Sequence, residues 1–210
     1  MAKAERTIED RLREEYFYLL PVIRRVAQQL EAEIKYHLLT ISRGLSKYER
    51  LVVTSRVKDC ESAVQKLVRG LEGAPAHREH PERYSLTFLK DLAGVRVLAF
   101  PRRRLIEIDS TLRKKFHWKP DPIVGDGEVL AFKYCGYGKA SQKIKGEYQI
   151  VSMLTGLFWE VEHSAMYKPD PELRGVARHL GMEQRRKEVL QALKGFEEQF
   201  ETLLQEGENV

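Results

Sequence analysis

The chain has 210 residues, 42% hydrophobic and 32% charged, an ordinary globular balance with enough apolar material for one domain and its core. Its formal net charge is +5 and its pI about 9.1, which suits either a handler of polyanions (nucleotides, phosphate esters, RNA) or an ordinary solvated basic surface. Two cysteines, Cys60 and Cys135, far apart and in no metal-ligand spacing, argue against a disulfide framework or a zinc site and for a reducing cytoplasm.

The opening segment MAKAERTIEDRLREEY is charged where a signal peptide needs an apolar stretch. No apolar run approaches the roughly 20 residues that span a bilayer, so a soluble cytoplasmic protein without a membrane partner is expected. Residues 5 to about 45 read as helix, with Leu12, Tyr16, Leu19, Leu20, Ile23, Val26, Leu30 and Ile34 at three- and four-residue steps. Pro21 is expected to kink or divide that helix. Residues 51–57 (LVVTSRV) read as a strand, 59–72 as a helix and 73–83 as a polar loop containing Pro and Gly. A strand over 92–100, a helix over 103–116 and a turn-rich KPDPIVGDG follow. Strands over 128–134 and 146–152, a helix from Met153 to Tyr167, and one or two charged helices from Pro171 complete the chain. Strands alternating with helices indicate an α/β or α+β domain with a mixed sheet.

Four clusters carry chemistry. Arg56 and Lys58 leave a strand and enter a helix bearing Ser62, Lys66 and Arg69 on one face, a convergence of cations suited to a triphosphate or simply a solvated basic face. In Asp91-Leu-Ala-Gly94-Val-Arg96 a guanidinium sits inside an apolar strand, where it either pairs with Asp91 or points to a ligand. Lys133-Tyr-Cys-Gly136-Tyr137-Gly138-Lys139 reads as a glycine-flanked loop presenting an aromatic ring, either to a nucleobase or merely as a turn. Glu147 and Gln149, two apart on a strand, face the same side. Glu160, Glu162 and His163 follow on a helix, and His163 is either a site residue or an ordinary surface histidine.

In this order the segments RVKDCESAVQKL (56–67), DLAGVRVLAF (91–100), KYCGYGKAS (133–141) and EYQIVSMLTGLFWEVEHSAMYK (147–168) resemble the synthetase domain of the RelA/SpoT family, the makers of guanosine tetra- and pentaphosphate. The resemblance implies a mixed, mainly five-stranded sheet flanked by helices. It divides the chain into an N-terminal helical segment (1–48), a pyrophosphokinase core (49–170) and a C-terminal helical extension (171–210). It implies that Arg56 and Arg96 sandwich the adenine of ATP while Lys58, Ser62 and Lys66 hold its triphosphate. Asp91 and Glu147 would bind Mg²⁺, with Glu147 also the base for the attacking hydroxyl. On the acceptor side, Tyr137 would stack on a base, with Lys133, Lys139, Gln149 and His163 around it. The implied reaction moves the β,γ-pyrophosphate of ATP to a ribose 3′-hydroxyl, of GDP or GTP first, and releases AMP.

The acceptor half departs from the family pattern. Where the family has GYxSxH this chain has Gly136-Tyr137-Gly138-Lys139-Ala140-Ser141, and where the family has Ile-Arg-Thr it has Ile150-Val151-Ser152. Both changes remove ligands for an acceptor's own phosphates. That leaves room for toxin-type relatives, which place pyrophosphate on the 3′-terminal adenosine of tRNA and are neutralised by an antitoxin. Basic stretches at 102–104, 113–115 and 185–187 would then grip RNA, or else are ordinary surface charge. No histidine is followed by aspartate, so the family's hydrolase motif is missing from this sequence. Control by an antitoxin or by homo-oligomerisation through the terminal helices is expected. A nucleotide sensor without catalysis is the competing class.

Overall fold

The computed structural model describes residues 7–72, 84–125, 127–162, 176 and 179–207. Helix α1 (Ile8–His37) opens on Thr7, whose hydroxyl accepts a hydrogen bond from the backbone N–H of Asp10, and closes with Lys35 and His37 in its last turn. Its apolar stripe, Leu12 to Ile34, is buried along its whole length. The helix runs unbroken through Pro21, contrary to the division expected there. Pro21 and Phe17 are solvent-exposed, so the carbonyl that loses its intrahelical partner is near water, and the buried stripe on both sides holds the helix together. The break comes instead at Leu38, which leads into the short helix α2 (Leu39–Arg43).

The remaining elements are β1 (Arg50–Val57), α3 (Cys60–Glu72), a 3₁₀ turn (Leu86–Phe88), β2 (Ala93–Phe100), α4 (Arg104–Phe116), β3 (Lys119–Pro120), β4 (Ile123–Gly125), β5 (Glu128–Tyr137), β6 (Lys145–Ser152), α5 (Met153–Glu162) and α6 (Met182–Gly207). The mixed sheet flanked by helices is the expected architecture. Among the described residues it has six strands, because the turn-rich segment contributes the short strands β3 and β4 against β5. The strand order is β1-β2-β6-β5-β3, with β2 and β6 parallel and the other neighbours along that order antiparallel. The Lys133–Tyr137 segment, expected as a loop, is the end of β5 and pairs with β6 up to Tyr137–Lys145.

Side-chain alternation gives the sheet two different faces. One carries Val95, Val97, Tyr134, Tyr148 and Ile150, which pack under α1 and α4 with Trp118 and Phe116. Trp118 lies so close over the hairpin that a Cβ on Gly136 would stand 2.5 Å from its ring, so glycine is required there. The opposite face is apolar only at one end, where Leu98, Ala131 and Val151 pack against Met153 and Trp159 at the start and middle of α5. Gly156 brings α5 onto β2, since a Cβ there would collide with Leu98 Cδ2. The other end of this face is left to polar residues.

Candidate functional site

Strand register assembles the polar end. Arg56, Gly94, Glu147 and Cys135 lie side by side across β1, β2, β6 and β5, and the next row is Thr54, Arg96, Gln149 and Lys133. Gly94 leaves a gap that the Arg56 side chain occupies: a Cβ would stand 3.2 Å from Arg56 Nε. Lying across Gly94, Arg56 brings Nη2 to 3.6 Å from Glu147 Oε1. Gln149 donates to the same carboxylate oxygen at 2.8 Å. Burial, and then the charge of Asp91, push the Glu147 carboxyl above the ordinary glutamate range, with Arg56, Lys133 and Gln149 opposing. A carboxylate so placed takes up a proton more readily than a solvated one.

Asp91 precedes β2 and Lys58 follows β1, and the chains are tied by a backbone bond from Lys58 N–H to Leu92 C=O at 3.0 Å. Asp91 Oδ2 receives Lys58 Nζ at 3.0 Å and, from α3, Lys66 Nζ at 2.8 Å. Burial raises the Asp91 carboxyl, but the two ammonium groups outweigh it and hold the group below the ordinary aspartate value. Its second oxygen, Oδ1, is buried and has no hydrogen-bond partner. Ser62 stands in the first turn of α3, where its N–H is capped by Asp59 Oδ1 at 2.9 Å. The expected cations therefore do converge, on a carboxylate.

Arg96 is 9% exposed. It does not pair with Asp91. Its partner is Glu160 on α5, with Nη1 3.0 Å from Oε1, while its Nε is buried and unbonded. Burial and the nearby charge of Arg56 lower the pKa of this guanidinium, with Glu160 and Glu147 acting the other way. Glu160 was only noted in passing in the sequence, and its role depends on how α5 docks. Lys133 is held by Asp121 at 2.7 Å; burial opposes its charge, but Asp121, Glu147 and Asp91 raise its pKa overall.

The exposed ring of Tyr137 carries Lys145 Nζ 5.3 Å above its centroid. It borders a hollow of about 590 Å³ whose walls include Tyr18, Phe88, Gln142 and Lys143. Tyr137 and Gln142 also border an adjoining hollow of about 290 Å³, which Lys139 lines with Glu33, His37 and Trp118. Ser141 accepts the N–H groups of Lys143 and Ile144 at 3.0 and 3.1 Å and so serves as a turn cap. Val151 is fully buried among apolar neighbours. His163 lies outside the described residues. Of the basic stretches, Arg103 and Arg104 are committed to Glu49 and Arg186 to Glu162, whereas Lys114 and Lys115 are exposed.

No group of three or more His, Cys, Asp or Glu able to hold a metal occurs among the described residues, and a Mg²⁺ ion here would take part of its shell from phosphate or water oxygens and the rest from side chains. Asp91 and Glu147 fit that part: both are oxygen donors, and the bare Asp91 Oδ1 can accept a hard cation. No described helix is long and apolar enough to cross a membrane.

No protein-family model matches the chain, and no curated protein matches it in sequence. Solved structures do. Small alarmone synthetase 1 from Bacillus subtilis superposes with a TM-score of 0.64 at 17% identity, covering 94% of this chain and 100% of that one. Its complex with its product pppGpp gives 0.64 at 18% identity over 91% and 99% of the two chains, and its complex with AMPCPP 0.62 at 20% over 92% and 99%. Small alarmone synthetase 2 from the same organism gives 0.59 at 18% over 89% and 97%. The chain therefore has the fold of the RelA/SpoT-type synthetases.

Proposed function

We propose that the protein is an ATP-dependent nucleotide pyrophosphokinase, moving the β,γ-pyrophosphate of ATP to the ribose 3′-hydroxyl of GDP or GTP and releasing AMP. The observation that carries this is the placing of Glu147 and Asp91 among Arg56, Lys58 and Lys66 on the open end of one sheet face. The fold of structures solved with AMPCPP and with pppGpp supports it.

The reaction joins two polyanions, so charge must be neutralised and the hydroxyl aligned behind the phosphorus. Lys58, Lys66 and Ser62 hold the triphosphate, and Arg56 and Arg96 flank the adenine. Glu147, steadied by Gln149 and Arg56, removes the hydroxyl proton as the O–P bond forms and AMP leaves. Asp91 and Glu147 would hold Mg²⁺, which when bound would supply positive charge to the phosphates. Tyr137 stacks on the acceptor's base, with Lys133 nearby.

One set of observations favours a second acceptor. Ser141 is spent in a turn and Val151 is core, so ligands for an acceptor's 5′-phosphates are lacking at these two positions. A tRNA 3′ end needs none, and exposed Lys114 and Lys115 could meet its backbone. Incubation with γ-labelled ATP, Mg²⁺ and GDP, GTP or deacylated tRNA in separate tubes decides between them. Label in GDP or GTP supports the primary reading, and label in tRNA alone replaces it. Label in none refutes transfer and leaves a nucleotide sensor.

A further inference from the structure

Glu160 has no part in the reaction just described, yet it is the carboxylate that engages a nearly buried guanidinium at the site. Its placement follows from the packing of α5. Gly156 presses α5 onto Leu98 of β2, and Glu160 lies four residues further along the same helix face. Arg96 lies two residues back from Leu98 on the same strand face. One close contact therefore sets Glu160 over Arg96, 3.0 Å from Nη1.

Without that contact Arg96 would keep its burial and the attraction of Glu147 but lose its hydrogen bond at Nη1. Its Nε is unbonded, and Arg56 repels it from the neighbouring strand. A flat guanidinium binds a ring by its face, so its plane must be fixed before the ring arrives. We propose that Glu160 is a positioning residue that fixes the Arg96 plane for stacking on the donor's purine. This inference rests on the donor reading given above. Glu160 itself is half exposed, at the rim of the site, and carries a charge that a triphosphate would avoid. Its hydrogen bond to Arg96 is the route by which it acts on the base.

Calorimetric titration of the full-length protein with AMPCPP and with inorganic tripolyphosphate, each with Mg²⁺, tests this. Tripolyphosphate meets the lysines and not the stacking pair. For Glu160→Ala, AMPCPP binding should weaken about tenfold, the scale of a desolvated cation–π contact, while tripolyphosphate binding is unchanged. Glu160→Gln, which keeps a carbonyl oxygen facing Arg96, should recover most of the affinity. Equal weakening of both ligands, no change, or tighter AMPCPP binding would overturn the inference. Failure of the unmodified protein to bind AMPCPP would overturn the donor reading and the inference together.

Discussion

Glu147 holds a negative charge where burial and Asp91 both oppose it, and Arg56, Lys133 and Gln149 only partly compensate. A base raised in this way is better matched to neutral solution. Glu147→Gln should lower kcat by about 10²- to 10⁴-fold, the usual contribution of a general base. The same change should raise the melting temperature at neutral pH. A carboxyl whose folded pKa is raised costs stability wherever it is ionised, and the neutral amide removes that cost. The acid limb of the kcat/KM–pH profile, which reports the free enzyme, should lie above the ordinary glutamate range. In Arg56→Ala it should move higher still, because Arg56 lowers the Glu147 pKa. A limb that stays put in this variant would remove Arg56 from the electrostatics of the base.

The elements are held to one another by equally local devices. Glu49, 3% exposed just before β1, takes a two-pronged bond from Arg104 at 2.8 Å on each oxygen and a longer one from Arg103, which fastens the start of α4 to β1. These bonds, Arg104 first, hold the Glu49 carboxyl at about 2 against an ordinary 4.5. Its contribution is complete above pH 4.5 and is lost as pH falls towards 2. Glu49→Gln should cost about 3 kcal/mol in urea unfolding at pH 7, as expected for breaking a buried pair. The difference from the unmodified protein should shrink steadily below pH 4.5. A gap that does not shrink as pH falls from 4.5 towards 2 would contradict this. Gly156→Ala should destabilise by about 1–3 kcal/mol through overpacking against Leu98 and Val151, and by moving α5 it should weaken AMPCPP as Glu160→Ala does.

At the scale of the whole molecule, what could be read in advance was whatever lies close together in the chain. Period-two and period-3.6 patterns located the long strands and helices, and the spacing of Glu147 from Gln149 marked residues that do meet on one face. What depends on how elements dock could not be read. Arg96 was left between Asp91 and a ligand because its real partner is 64 residues away on a helix whose seating rests on one glycine. The end of β5 looked like a loop because two glycines suggest flexibility, whereas here one of them makes room for Trp118. Pro21 failed to divide α1 because tertiary burial outweighed one missing hydrogen bond.

The central claim is that a two-phosphate unit leaves ATP, which fixes the nucleotide left behind. Chromatography of the nucleotides after incubation with ATP, Mg²⁺ and the labelled acceptor measures this directly. One AMP should form for each acceptor that gains two phosphates, and about 10²- to 10⁴-fold more slowly with Glu147→Gln. ADP with single phosphates on the acceptor, or ATP left intact with every acceptor, would contradict it.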